Sequence, residues 1–198
     1  MKALLVATHN QGKLKEIQAI LGDDVVLKTM TDYPDVAEVV EDGDTFEANA
    51  IKKAVEVAEA TGEITLADDS GLEVDAIDGA PGVYSARFSG ENATDQTNND
   101  KLLSLLDQIP DEQRQARFRC VIAVVAPGGE PRTATAAWEG SIVRAPRGDQ
   151  GFGYDPLFFS PEHGMTSAEL PRETKNRASH RGKALRAARP LILDALKD

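Results

Sequence analysis

Cysteine is nearly missing from this chain, and aromatic residues and basic charge are scarce. Cys120 stands alone among 198 residues, which excludes an internal disulfide framework and a cysteine-based zinc site. It lies in an apolar alternating run, where a buried structural thiol is the ordinary occupant. Aromatics make up 5% of the residues and there are 3 histidines. Lys and Arg number 22 against 33 Asp and Glu, and the resulting charge of −11 argues against broad binding to nucleic acid or an anionic membrane. A small phosphorylated ligand stays open, because it needs only a local positive pocket. Long hydrophobic runs are also lacking. The run Ala3–Ala7 is shorter than the ~7–15 residues of a signal-peptide core, and nothing approaches the ~20 of a membrane span. These absences predict a soluble, cytoplasmic protein. With 41% hydrophobic residues and no linker, repeat or low-complexity tract, residues 1–198 are expected to form one domain, with room for two lobes.

What is there alternates between strand and helix. Ala3–Thr8 reads as a strand, the polar loop His9-Asn10-Gln11-Gly12 follows, and Leu14, Ile17, Ile20 and Leu21 share one helical face. Val25–Lys28 reads as a second strand. A helix is expected from Asp44, with Glu47 in capping-box position, to a stop near Gly62. Ile64–Ala67 reads as a strand ending in Asp68-Asp69-Ser70-Gly71, residues 79–90 as a Gly/Pro-rich loop, and Asp95–Ile109 as a third helix. Alternation around Phe118, Cys120, Ile122 and Val124 predicts a long strand, paired through the turn Pro127–Glu130 with another at about Arg132–Val143. After the glycine-containing loop Gly148–Asp155, a last helix at His180–Leu196 carries Pro190, expected to bend it. The class is α/β.

Four places can carry chemistry. Thr8-His9-Asn10-Gln11-Gly12-Lys13 joins a strand to a helix N-terminus, where free N–H groups, the helix dipole and Lys13 suit a phosphate. It is not a Walker A loop, since the leading glycine is absent and Leu14 stands where Ser or Thr would meet magnesium. Asp68 and Asp69 are consecutive strand residues pointing to opposite faces, so one can bind a cation or accept a proton while the other braces the loop. Phe152, Tyr154 and Asp155 on a glycine-held loop can stack on and hydrogen-bond a base. Ser179-His180-Arg181-Gly182 gathers donors at a helix start. Each has a plain structural reading too: a strand–helix turn, turn-forming aspartates, loop packing, a helix cap. Acids run from Asp32 to Glu47 without a base, and bases crowd Arg172 to Arg189; charge counting does not decide whether these are solvated faces or the two sides of a metal–polyphosphate site.

Together these segments, with Ala67-Asp68-Asp69-Ser70-Gly71-Leu72, Gly79-Ala80-Pro81-Gly82-Val83-Tyr84-Ser85-Ala86-Arg87 and Gly151-Phe152-Gly153-Tyr154-Asp155-Pro156, closely resemble the inosine triphosphate pyrophosphatase family, in order and spacing along the whole chain. The resemblance implies an elongated, mixed twisted β-sheet flanked by helices, with two lobes around a central active-site cleft, commonly as a homodimer. It implies Mg2+-dependent hydrolysis of ITP, dITP, XTP and dXTP to monophosphate and pyrophosphate, which keeps such purines out of DNA and RNA. By position, Thr8, His9, Asn10, Gln11, Gly12 and Lys13 would contact the polyphosphate, with Asn49 and Lys53 beside them. Glu41 and Asp69 would hold magnesium, Asp69 also activating water. Ser70 would touch substrate, and Phe152, Gly153, Tyr154, Asp155, Lys175, His180 and Arg181 would surround the base. Two other readings compete: a purine-triphosphate sensor without turnover, against which Asp69 and Glu41 count, and a pyrophosphatase for modified pyrimidines, disfavoured by the His180-Arg181 and Phe152–Asp155 motifs.

Overall fold

A computed structural model describes residues 3–197. The elements follow the chain as β1 (Ala3–Val6), α1 (Gln11–Leu21), β2 (Val26–Thr29), α2 (Phe46–Thr61), β3 (Ile64–Val74), α3 (Asp95–Leu105), β4 (Gln115–Val125), β5 (Arg132–Ile142), β6 (Phe158–Ser160), β7 (Met165–Thr166), α4 (Arg172–Ala178) and α5 (His180–Ala195). The strands form one open sheet of seven in the order β2-β1-β3-β4-β5-β6-β7. β1 runs parallel to β2 and β3, with Leu4 opposite Leu27 and Ile64, while β6 is antiparallel to β5 and β7. The fold is therefore a mixed-sheet α/β fold, as the sequence implies.

The chain clusters into two compact units. The first holds the chain up to Asp69, Cys120–Ala136 and everything from Arg181 onward. Its core is aliphatic: Leu4 and Val6 of β1, Ile17 of α1, Leu66 of β3, Ile122 of β4 and Leu185 of α5 are fully buried. A run of β-branched and leucine side chains covered on both faces is what a parallel strand between helices requires. The second unit holds Ser70–Arg119 and Ala137–His180. Its core adds aromatic rings to leucine and valine side chains, with the Phe118 and Phe158 rings 4.5 Å apart and Trp138 5.0 Å from Phe158. Arg114 is buried within it. Its guanidinium donates to the carbonyls of Leu106, Ile142 and Val143 at 2.8, 2.9 and 3.2 Å, tying the end of α3 to the end of β5.

Several boundaries differ from the sequence reading, each for a physical reason. α1 starts two residues before Lys13, because the Asn10 side chain accepts from Lys13 N and caps the helix. α2 is capped by Thr45 rather than Asp44, and Glu47 accepts from the Thr133 hydroxyl instead of closing a capping box. β3 does not end at Ala67 but continues to Val74, so Asp68 and Asp69 lie in mid-strand. A buried strand tolerates them because Asp68 is neutralised by ion pairs and the apolar alternation resumes at Leu72 and Val74. The third helix stops at Leu105, and the loop at 79–90 contains a 3-10 stretch, Gly82–Arg87. α5 passes through Pro190. α4, β6 and β7 lack a periodic apolar signature in the sequence.

Candidate active site

In the first unit, β1 delivers the chain to the α1 N-terminus through Thr8–Asn10. Asn10 N donates to the Thr8 hydroxyl at 3.1 Å and Asn10 Oδ1 accepts from Lys13 N at 3.0 Å, so the loop is held by its own side chains. His9, Asn10 and Gln11 are exposed, while Thr8, Gly12 and Lys13 are half-buried. The Lys13 ammonium reaches β3, 2.7 Å from Asp68 Oδ1.

Strand alternation separates the two aspartates as expected. Asp68 is buried against Arg181, whose Nε donates at 2.8 Å and Nη2 at 3.4 Å, and it accepts from the Cys120 thiol at 3.2 Å. Burial opposes its ionisation, yet Arg181 and Lys13 hold its carboxyl well below the usual range. Asp68 is thus the brace. Asp69 is 5% exposed, and burial pushes its pKa up to about 6, with Lys13 and Lys53 pulling down and Glu41 and Asp68 pushing up. A buried carboxyl poised near neutrality is what a proton acceptor needs.

Glu41 belongs to an acidic segment without regular structure, strapped to α2 at several points. Lys53 pairs with Glu41 and also donates to Asp68 O at 3.2 Å. Lys52 pairs with Asp42 at 2.6 Å. Asn49 Oδ1 accepts from Gly43 N at 2.8 Å while its Nδ2 donates to Gly43 O at 3.3 Å. A Cβ on Gly43 would lie 2.7 Å from Asn49 Oδ1, so a larger residue there would displace the Asn49 amide. Asn49 is buried and engaged at both ends of its amide, so it straps the acidic segment to α2.

In the second unit the loop 148–155 is built around Asp155. Its Oδ2 accepts from Phe152 N at 2.9 Å and Lys175 Nζ at 2.6 Å, and its Oδ1 from the Ser167 hydroxyl at 2.7 Å. Lys175 Nζ lies 5.3 Å from the centre of the Phe152 ring. Gly151 has φ +80° and a Cβ there would sit 2.0 Å from Asp155 Oδ2, so no other residue fits. Phe152 is half-exposed and can stack on a planar ligand; Tyr154 is buried, its hydroxyl donating to Ser85 O at 2.7 Å, which makes it an anchor. His180 is buried too, stacked on Phe118 with centroids 4.7 Å apart. Ser70 is half-buried on β3.

Arg181, which the resemblance puts near the base, is held by acids of α1 and β3. It lies in the first unit, 2% exposed, with Nη1 donating to Glu16 at 2.5 Å besides its bonds to Asp68. Burial disfavours its charge, but Asp68 and Glu16 keep it firmly protonated. The sequence reading missed Glu16, whose one signal is an acid beside Ile17 on the buried side of α1. It also missed Asp95, exposed at the start of α3, and Asn98 and Asn99, polar residues on the buried face of that helix, where apolar ones are the norm.

Among the described residues, no three His, Cys, Asp or Glu side chains gather to hold a metal unaided. Magnesium does not require that, since it takes one or two carboxylates, keeps several waters and draws further oxygens from phosphates. Asp69, whose ionisation the neighbouring Glu41 makes costlier, and Glu41 itself fit that need.

An open α/β sheet carrying a strand–loop–helix turn and a carboxylate–lysine cluster at β3 defines a protein built around an anionic ligand. The chain belongs to the Ham1 family, whose model matches residues 4–191. It is 59% identical to the dITP/XTP pyrophosphatase of Geobacter sulfurreducens over 93% of this chain and 94% of that one, and 50% identical to that of Escherichia coli O157:H7 over the full length of both. Among solved structures, a HAM1 protein from Coxiella burnetii is 42% identical with a TM-score of 0.88, covering 98% of this chain and 100% of its own. The Staphylococcus aureus Ham1 protein is 38% identical with a TM-score of 0.86, over 98% and 99%.

Proposed function

We propose that this protein hydrolyses non-canonical purine nucleoside triphosphates, ITP, dITP, XTP and dXTP, to the monophosphate and pyrophosphate, and so cleanses the nucleotide pool. The observation that carries this reading is Asp69, a buried carboxyl with its pKa near 6, beside Glu41, Lys13 and Lys53. Asp69 accepts a proton from the water that attacks the α-phosphorus, the P–O bond to the β-phosphate breaks, and pyrophosphate leaves. Lys13, Lys53 and the N-terminal amides of α1 neutralise the phosphates. Asp69 and Glu41 would hold Mg2+, which would screen the polyphosphate and stabilise charge developing at phosphorus. Phe152 stacks on the base, and Lys175 and His180 line its surroundings. Asp68, Glu16 and Arg181 keep β3 in place under this chemistry. Residues 1–198 work as one pyrophosphatase domain, as a cytoplasmic homodimer; light scattering reads the oligomeric state. The names carried by the similar proteins support the substrate class.

The test is pyrophosphate release from ITP, XTP, ATP and a modified pyrimidine triphosphate, each with Mg2+ and with EDTA. Fast release from ITP and XTP with Mg2+ is expected. Tight binding without release would make the protein a sensor instead.

A further inference from the structure

α3 has an unusual buried face. Asn98 and Asn99 lie there beside Leu102, where packing alone demands apolar side chains. Their amides are engaged with two loops. Asn98 Nδ2 donates to Ser85 O and Ala86 O at 3.3 and 3.1 Å, and Asn98 Oδ1 accepts from Ser89 N at 2.8 Å. Asp95 and Asn99, four residues apart and neighbours on the helix surface, take the two polar groups of one residue in the other loop. Gly153 N donates to Asp95 Oδ2 at 2.8 Å, and Asn99 Nδ2 donates to Gly153 O at 3.0 Å. Gly153 has φ +63°, so its peptide groups are turned as few other residues would hold them. The Tyr154 hydroxyl on Ser85 O ties the two loops together.

One further atom argues for function over stability. Asn99 Oδ1 is buried and, among the described residues, has no hydrogen-bond partner. Such an atom is a standing cost that an apolar residue would remove. Sequences keep such local conflicts chiefly where a site needs them.

We propose that Asp95 and Asn99 are positioning residues for base selection, a clamp on Gly153 that fixes where Phe152 and the Asp155–Lys175 pair stand against the purine. Neither touches the base. The inference rests on the reading of the loop 148–155 as the base contact, and its test separates the two. Steady-state kinetics with XTP and ATP are measured for Asp95→Ala, Asn99→Ala, Asn99→Asp and Asp95→Asn, along with inhibition by tripolyphosphate, which has no base, and thermal melting.

Loss of either hydrogen bond is expected to raise KM for XTP by about tenfold and to narrow the XTP-over-ATP preference, with kcat little changed. Asn99→Asp keeps the size but turns a donor into an acceptor facing a carbonyl, and is expected to behave like Asn99→Ala. Asp95→Asn keeps an acceptor oxygen and is expected to restore most of the wild-type behaviour. Tripolyphosphate inhibition is expected to stay unchanged throughout. Variants that melt earlier yet keep the wild-type KM and preference would overturn the clamp, as would loss of kcat and tripolyphosphate inhibition in step with KM. Phe152→Ala completes the design. If it erodes the preference and the α3 variants do not, the clamp alone falls; if it leaves the preference intact, the base-contact reading falls and takes the clamp with it.

Discussion

Asp69 carries two opposite demands in one carboxyl group. Its pKa rises from the ordinary 3.8 to about 6 because burial disfavours the ion. An acid raised in the folded state contributes stability below its unfolded pKa, and that contribution is lost as pH climbs through the folded value. Metal-free protein should therefore lose stability between about pH 4 and 6 through this residue, to a limit of about 3 kcal/mol at neutral pH. On the proposed mechanism Asp69→Asn removes the proton acceptor and weakens the metal site, so turnover is expected to fall by at least ~10²-fold. The same variant should be the more stable protein above pH 6 in EDTA. Urea unfolding of both proteins at pH 4 to 7 checks this, and a stability difference that stays flat across the range would contradict the burial account. Arg181 behaves the other way. Arg181→Ala leaves Asp68 and Glu16 buried without their shared cation, a change that costs about 3–5 kcal/mol. It should appear first as a lower urea midpoint, and loss of purine preference at full stability would mark Arg181 as a base contact.

At the scale of elements, β3 shows how far the sequence could be read. The strand was legible from Ile64 to Ala67, because four consecutive apolar or β-forming residues announce it. Its continuation through Asp68-Asp69-Ser70-Gly71 was not, because the cation that neutralises Asp68 comes from Arg181, more than a hundred positions along the chain. Local pattern carries no trace of such a partner. The same holds for Arg114, whose acceptors are carbonyls at the ends of α3 and β5. Phe152 and the glycines around it were visible as a motif. Their support on α3 was hidden, since Asp95 and Asn99 look like ordinary polar helix residues until the loop is seen against them. Arg114→Leu leaves three carbonyls without their donor and is expected to destabilise by about 3 kcal/mol or more. A urea midpoint shift under a third of that would mean that water replaces the guanidinium.

For the whole molecule, a charge of −11 and a polyanionic substrate repel one another unless a cation intervenes. Activity should vanish with EDTA and return with Mg2+, and full activity in chelated protein would assign the carboxylates another role. ITP and XTP should exceed ATP in kcat/KM by orders of magnitude, since donors aimed at a 6-oxygen would face the 6-amino group of adenine; hydrogen-bonded sites reject such mismatches by ~10⁴-fold or more. Equal efficiency for ATP and ITP would leave only a general nucleotide pyrophosphatase. The lone thiol offers a different kind of measurement. Cys120 is fully buried and donates to Asp68, and burial with that neighbouring carboxylate pushes its pKa well above the ordinary value. It is therefore silent toward a thiol-labelling reagent while β4 stays covered. Each labelling event counts one opening of the first unit at the strand next to Asp69, so the protein carries its own clock for local unfolding.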